Sequence, residues 1–272
     1  MLQTFKQLIS GLMMTAGIII MLSISSISAF AAPNDMAFVR VVHASPAAGP
    51  VDVFVDGNKL LSNFTFATVT GYVSVPAGSH SIQVAPAGKG AGAAVITQSV
   101  TVAAGVPYTV AAIGTAATGF SLQAFADNNL LSGNMVKVRV YHLSPNAGPV
   151  NVAAGGNTVI TGLTYKSASD YLSIPAGSYT FNVTATQANA TVPVAATLSN
   201  GTVNSVFAVG LYQGSPALKF VLASVTGVPG MPQTGSDPVN HTSMPLVPWA
   251  LGSLGLLLLI GGGVSLRLAR KK

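Results

Sequence analysis

Between Val39 and Gly57 the chain reads VRVVHASPAAGPVDVFVDG, which places His43, Ser45 and Asp52 within ten residues of one another. These are the residue types of acyl transfer through a serine nucleophile. There an imidazole takes the hydroxyl proton and a carboxylate holds the imidazole from its other side. Strand parity speaks against that use here. His43 shares the parity of Val39 and Val41, the buried face of an alternating strand, whereas Asp52 alternates against Val51 and Val53 and is expected to point outward. No G-x-S-x-G elbow surrounds the serine. The expectation is therefore that His43 and Ser45 bond backbone groups where the first strand turns, with Pro46 and Pro50 stiffening the crossing. No catalytic residue is assigned and the chain is not read as an enzyme; an envelope hydrolase using this stretch is the remote alternative.

Other chemistry has few residues to draw on. Cysteine and glutamate are absent, so thiolate ligands, disulfides and cysteine nucleophiles are excluded, and six aspartates are the only acids. Four scattered histidines do not compose a zinc site. His80 sits on an apolar parity and is expected to fill core space, while His241 falls in a polar, proline-containing stretch. Asp52 and Asp56 share one strand face, but calcium needs a cage of about 6–8 oxygens. No metal and no cofactor are expected. Tyr72, Tyr165, Tyr171 and Tyr212 are the aromatics best suited to stack on a sugar, with those shared by both halves of the chain expected to pack instead.

The net charge of +6 is concentrated at the ends, at Lys6 and at Arg267, Arg270, Lys271 and Lys272. The middle is close to neutral, so electrostatic capture of nucleic acid is not expected. Residues 1–31 have the three-part layout of a signal peptide: one lysine, an apolar run from Leu8, and small residues Ala29 and Ala31 before a cleavage between Ala31 and Ala32. From Leu246 to Leu266 runs a second apolar stretch, long enough at about 20 residues to span a bilayer as a helix. Trp249 stands at its outer end, and the basic residues of 267–272 place the C-terminus in the cytoplasm. Residues 227–245 are rich in proline, glycine and small polar residues, as a linker would be.

Inside that linker, Met231-Pro232-Gln233-Thr234-Gly235 resembles the Leu-Pro-x-Thr-Gly sorting signal of Gram-positive-type surface proteins, with methionine for leucine. The likeness extends to the three-part tail of motif, apolar span and basic stop, although ten residues, Ser236–Pro245, precede the span. It implies sortase, and peptidoglycan joined at Thr234, as partners.

What positions these residues is a duplication. VRVVHASPAAGPVDV from Val39 reappears as VRVYHLSPNAGPVNV from Val138, 99 residues on, and GYVSVPAGSHSIQV as DYLSIPAGSYTFNV. The offset then drops to 96, matching Gly105 and Gly114 to Gly201 and Gly210. Asn151 stands where the first copy has Asp52, so a role for that carboxylate is not shared. Short period-two runs broken by Asp56-Gly57, Pro76-Ala77-Gly78 and Ala104-Gly105 predict about seven strands per copy. The fold class expected is all-β: two tandem antiparallel, immunoglobulin-like β-sandwiches, over 37–129 and 136–226, with an N-terminal signal helix and a C-terminal transmembrane helix.

The His-x-Ser-Pro motif, the following Gly-Pro-Val-Asp-Val and the Val-Pro-Ala-Gly-Ser hairpin resemble the bacterial domain of unknown function 4397, over roughly residues 37 to 226. That resemblance implies an exported β-sandwich and carries over no activity or catalytic residue. The sequence thus describes an exported, surface-anchored protein with a structural or interaction role, its β modules outside the cell on a membrane or wall anchor. Signal peptidase and the membrane are expected partners. The alternative is an adhesin binding a glycan or polymer through loops at one sandwich end or through a strand edge.

Overall fold

The computed structural model describes residues 35–131 and 135–226. The signal segment with its Ala31/Ala32 cleavage, the motif Met231–Gly235, the apolar stretch 246–266 and the basic tail lie outside the described residues. Among the described residues no helix is long and apolar enough to cross a membrane. Apart from a three-residue 3-10 turn at Ala91–Ala93, the regular structure is strand.

The first copy contains β1 (Met36–His43), β2 (Val51–Val55), β3 (Asn58–Phe64), β4 (Val73–Pro76), β5 (Gly78–Pro86), β6 (Ile96–Val102), β7 (Pro107–Thr115) and β8 (Gly119–Ala126). They form two sheets, ordered β4-β1-β7-β8 and β3-β2-β5-β6. The second copy repeats this plan with β9 (Met135–His142), β10 (Val150–Ala154), β11 (Asn157–Leu163), β12 (Ser167–Ala168), β13 (Leu172–Pro175), β14 (Gly177–Ala185), β15 (Ala190–Leu198), β16 (Thr202–Val209) and β17 (Lys219–Thr226). Its sheets are β12-β9-β16-β17, with β13 also on β9, and β11-β10-β14-β15.

The expectation of wholly antiparallel sheets is corrected. β1 pairs with β7, and β9 with β16, in parallel. No hairpin joins the members of either pair, so nothing in the connection forces them to run oppositely. The strands missing from the sequence expectation include β3 and β11, both edges, where a bulge breaks the alternation against β2 and β10.

Valines fill the first sandwich: Val51, Val53, Val84, Val100, Val102 and Val110 with Phe64 and Ile82. The second has an equivalent core around Val136, Val138, Val152, Phe181 and Val206. A third cluster belongs to both copies. Val42, Ala44, Ala111, Ile113 and Phe125 of the first pack against Tyr141, Leu143, Phe207 and Val209 of the second. Alternation explains how: on β1, residues 37, 39 and 41 face the first core, while residues 40 and 42, and Ala44 just beyond the strand, face the other copy. The described residues form four layered sheets, and the two middle ones are covered on both faces. Accordingly every residue of β16 is buried, which suits its run TVNSVFAV.

Polar groups are enclosed in this shared layer. Arg40, 2% exposed, donates from Nε to Thr109 Oγ1 at 2.8 Å and from Nη2 to Ser205 Oγ at 2.7 Å. Its Nη2 lies 3.7 Å from the buried carboxylate of Asp127. Asp127 accepts from Thr109 Oγ1 at 2.5 Å, Tyr72 Oη at 2.7 Å, Arg139 Nη1 at 3.1 Å and the Tyr141 hydroxyl. Burial raises the pKa of the Tyr72 and Tyr141 hydroxyls, which keeps both as donors. Arg40 also lies over the rings of Tyr72 at 4.8 Å and Phe207 at 5.2 Å.

One backbone constraint recurs in both copies. At Gly114 (φ +95) a Cβ would lie 2.0 Å from the Gly119 carbonyl oxygen, and at Gly210 (φ +96) 2.3 Å from that of Ala217. The turn after β7 or β16 closes only over a hydrogen.

Because Asp127 neutralises a buried guanidinium, Asp127→Ala is expected to destabilise the body by about 3–5 kcal/mol, the cost of an unpaired buried charge. Equilibrium denaturation should show one cooperative transition for the wild type and two separated ones for the variant. A single unshifted transition would show that the cluster does not couple the copies.

Candidate functional site

The structure takes the opening motif apart. His43 is buried at the end of β1, and its Nε2–H donates to the Gly49 carbonyl at 2.9 Å. His142 makes the same bond to Gly148 at 2.7 Å. In both, Nδ1 is buried without a partner among the described residues. Burial lowers the pKa of each ring and the carbonyl bond offsets only part of this, so both are neutral pegs holding the β1–β2 and β9–β10 loops. Ser144 Oγ donates to the Gly210 carbonyl at 2.7 Å. Ser45 was expected to bond backbone likewise, but its hydroxyl is buried and unpartnered; nothing in the structure explains the difference.

Asp52 is not outward-facing in the sense expected: it is 2% exposed. The outer face of β2 is covered by the Lys59 side chain and by the loop at Gly88. Asp52 accepts from Lys59 Nζ at 2.7 Å, from the Asn63 amide at 3.0 Å and from the Gly88 amide at 3.1 Å. The Lys59 bond, then the two amides, lower its pKa to about 2. In the second copy Asn151 Oδ1 accepts the Gly162 amide at 2.7 Å. The oxygen common to aspartate and asparagine is what the bulge requires, since Asn63 and Gly162 both have left-handed φ there. His43 and Asp52 therefore serve separate local tasks, and His43, Ser45 and Asp52 share no hydrogen bond.

His80 does not simply fill the core, which corrects a second expectation. Its ring borders the apolar interior, yet Nδ1 lies 2.7 Å from Asp56 Oδ2 and Nε2 lies 2.8 Å from the Pro76 carbonyl. Both partners are acceptors, so both nitrogens must carry protons to make both bonds. Tyr179, its counterpart, bonds the Pro175 carbonyl through its hydroxyl alone. Among the described residues no three histidine or acidic side chains gather to hold a metal.

The sandwiches enclose apolar voids of ≈ 40 Å³ in the first copy and ≈ 100 Å³ in the second. Gln98 bridges the sheets of the first by donating to the Leu122 carbonyl at 3.3 Å and accepting its amide at 3.0 Å. Val194 occupies the corresponding place opposite Phe181 and lines the larger void with Phe220.

Of the tyrosines proposed for sugar stacking, three are spent on structure. Tyr72 bonds Asp127, Tyr171 accepts the Asn128 amide at 2.9 Å beneath Arg139, and Tyr165 packs in the shared layer. Tyr212 alone of the four lies on a loop outside the cores, between β16 and β17. Sequence reading missed Arg40, Asp127 and Arg139 as a group. The available signal was an arginine at the same place in two otherwise apolar strands, VRVV and VRVY.

The His80 geometry fixes a sign for pH. Burial works to lower its pKa, but the Asp56 and Pro76 bonds outweigh that and hold it above the ordinary 6.5. A raised folded-state pKa gives stability that is full below about 6.5 and is lost as pH rises through the folded value. His43 and His142, with lowered values, act oppositely, losing stability as pH falls below 6.5. His80→Tyr, the residue of the second copy, should remove the first contribution alone. Melting temperatures from pH 5 to 8.5 should then decline less on the alkaline side than for wild type; identical slopes would refute the paired imidazolium.

Comparison with known proteins adds the following. A search of curated proteins finds none that matches the chain. Among solved structures, a family 41 carbohydrate-binding module from a streptococcal virulence factor, described with α-glucan recognition, is 14% identical. The likeness covers 67% of this chain and 96% of that one, with a TM-score of 0.21. A candidate cell adhesion protein from Bacteroides ovatus ATCC 8483 is 10% identical over 71% of this chain and 96% of that one, with a TM-score of 0.23. Overlaps this loose carry no argument about ligand. The sequence profile named Domain of unknown function (DUF4397) matches residues 37–153 and again 136–230. Together these matches span well over half of the sequence, and the chain belongs to the DUF4397 family in two tandem copies.

Proposed function

We propose that this is a bacterial cell-surface protein with a structural or interaction role, which holds a single stiff β body outside the cell. The observation that carries the reading is the layer shared by the two copies. Arg40 of the first is enclosed by Ser205 and Tyr141 of the second, and Val42, Ala44 and Ala111 lie against Tyr141, Leu143 and Phe207. Two separately tethered modules would not bury a charge between them, whereas a display body gains from doing so because its binding or contact surfaces then keep a fixed relation. The anchoring half of the proposal rests on sequence: the signal-like segment before Ala32, the motif Met231–Gly235, and the apolar and basic stretches that follow. In this reading signal peptidase removes residues 1–31, and sortase cuts between Thr234 and Gly235 and passes Thr234 to peptidoglycan. The β body lies over 37–129 and 136–226, and 227–245 serves as its stalk.

Envelope digests examined by mass spectrometry are expected to contain a peptide ending at Thr234 joined to a wall peptide, and an N-terminus at Ala32. Mature protein that retains Lys272 would overturn wall sorting and leave the membrane stretch as the anchor. Protease applied to intact cells should release fragments of 35–226; complete protection there, with digestion after lysis, would remove the surface assignment itself.

A further inference from the structure

We infer that the second sandwich is open along one side, between β15 and β17, and that this opening takes a free, uncharged aliphatic chain. The opening belongs to the β body and is independent of how the chain is anchored.

In the first copy the same side is closed. There β6 and β8 are the edge strands, and Gln98 ties them by donating to the Leu122 carbonyl at 3.3 Å and accepting its amide at 3.0 Å. At this clasp Ile96 is 5% exposed and Leu122 6%. In the second copy the edge strands are β15 and β17, and strand register fixes the equivalences. Val84 pairs with Ile96 and Val183 with Val192, while Ile82 pairs with Gln98 and Phe181 with Val194. On the other sheet Val110 pairs with Ala124 and Val206 with Leu222, so a leucine stands where the first copy has alanine. Val194 has no donor or acceptor with which to form the clasp. Val192 is accordingly 38% exposed and Leu222 45%, although they share the parity of core residues, Val194 and Ala196 on β15 and Phe220 on β17. Apolar side chains on the inner face of a sandwich that stay this exposed are complementary to an apolar occupant.

Behind this opening lies the void of ≈ 100 Å³, lined by apolar residues only. Val138, Val152 and Val206 form its inner wall, and Val194, Phe220 and Leu222 stand on the two edge strands. Ala195, which is exposed, also lines it, so the void reaches the surface on this side. The void of ≈ 40 Å³ in the first copy differs here, because its wall on β6 and β8 consists of Val100, Val102 and Leu122, all buried.

Three properties define the occupant. The lining is too apolar for a hydroxyl or an amide, which would give up its water and find no partner. At ≈ 100 Å³ the void is smaller than the about 150 Å³ in which an engineered apolar cavity holds benzene, so a slender chain suits it better than a ring. Residues 171–218 and 220–226 contain no charged side chain, and the Lys219 ammonium lies over Phe66, on the side of β17 that faces the shared layer. Nothing at the entrance therefore recognises a phosphate, a carboxylate or an anionic membrane. The apolar end of a single chain enters between the sheets, its remainder lies along Val192 and Leu222, and an uncharged head stays in water.

Full-length protein in lipid nanodiscs, irradiated with an octanol that carries a diazirine at its methyl end, is expected to be labelled in β15 and β17 and not in β6 or β8. Unlabelled octanol should suppress this labelling, and octyl sulfate should do so less. Val194→Gln, which supplies the clasp of the first copy, and Leu222→Ala, which supplies its alanine, should each reduce labelling about fivefold, roughly the worth of one buried methylene. Should one of these variants melt earlier than wild type, the other decides. Absence of labelling in β15 and β17, equal labelling of the two copies, labelling unchanged in both variants, or stronger competition by octyl sulfate would each overturn the proposal. The same diazirine on the acyl chain of a nanodisc phospholipid is not expected to label β15 or β17; labelling there would assign the opening to the bilayer and overturn the free chain. None of these outcomes bears on protease accessibility at the cell surface, so the two readings fail separately.

Discussion

Everything about the arrangement of the two copies depends on one buried charge pair and its hydrogen bonds. A guanidinium enclosed between sheets, as that of Arg40 is, must find acceptors or cost several kcal/mol. It finds Thr109 on the neighbouring strand of its own sheet and Ser205 on the facing sheet, with the Asp127 carboxylate behind them. Asp127 in turn takes protons from Tyr72 and Thr109 of one copy and from Tyr141 and Arg139 of the other. The apolar cluster around this network supplies the burial, and the network selects the alignment. Two apolar sheet faces can slide past one another at small cost, whereas displacing these sheets by one residue would leave the arginine facing side chains that accept nothing.

The contact is built from equivalent positions of the two copies: Arg40 and Arg139 both reach Asp127, Thr109 and Ser205 both bond Arg40, and Val42, Tyr141, Ala111 and Phe207 share one apolar cluster. Strict identity would put two tyrosines or two valines in the same space. Instead the second copy has become large where the first stayed small, with Tyr141, Leu143 and Phe207 against Val42, Ala44 and Ala111. Tyr141 stacks on Phe207 at 4.6 Å and meets Phe125 edge-on at 5.2 Å, filling a layer that equal halves would leave either void or overfilled. This size difference ties each copy to the other rather than to a copy of itself.

Much of the fold was legible because each valine strand alternates locally, as in β2 and β5, and because the 99-residue repeat supplies the same reading twice. What was not legible depends on partners distant in sequence. The parallel pairing of β1 with β7 leaves no turn signature. The double-sided burial of β1, β7 and β16 needs knowledge of the opposing copy, so Arg40 read as one of the scattered basic residues. Asp52 was placed outside by parity alone, and parity cannot foresee a lysine and a loop folded over the outer face. His80 was assigned to the core by analogy with Tyr179, but the two rings solve the same bond to a proline carbonyl with different chemistry.

Duplication within one chain also separates what the fold needs from what it leaves free. Some positions alike in both copies have identical jobs: His43 and His142 hold a loop carbonyl, and Gly114 and Gly210 admit a carbonyl where no side chain fits. Positions that differ fall where the fold tolerates alternatives, as with Asp52 and Asn151, which keep one accepting oxygen in common. Gln98 and Val194 differ more deeply, since a glutamine closing the sandwich edge is exchanged for an aliphatic side chain facing a larger void. Retention of the same bond in both copies therefore marks structure, and the histidine of the opening stretch belongs to that class. Chemistry directed outward is to be sought where one copy has acquired something its twin lacks, a condition that His43, matched by His142, does not meet.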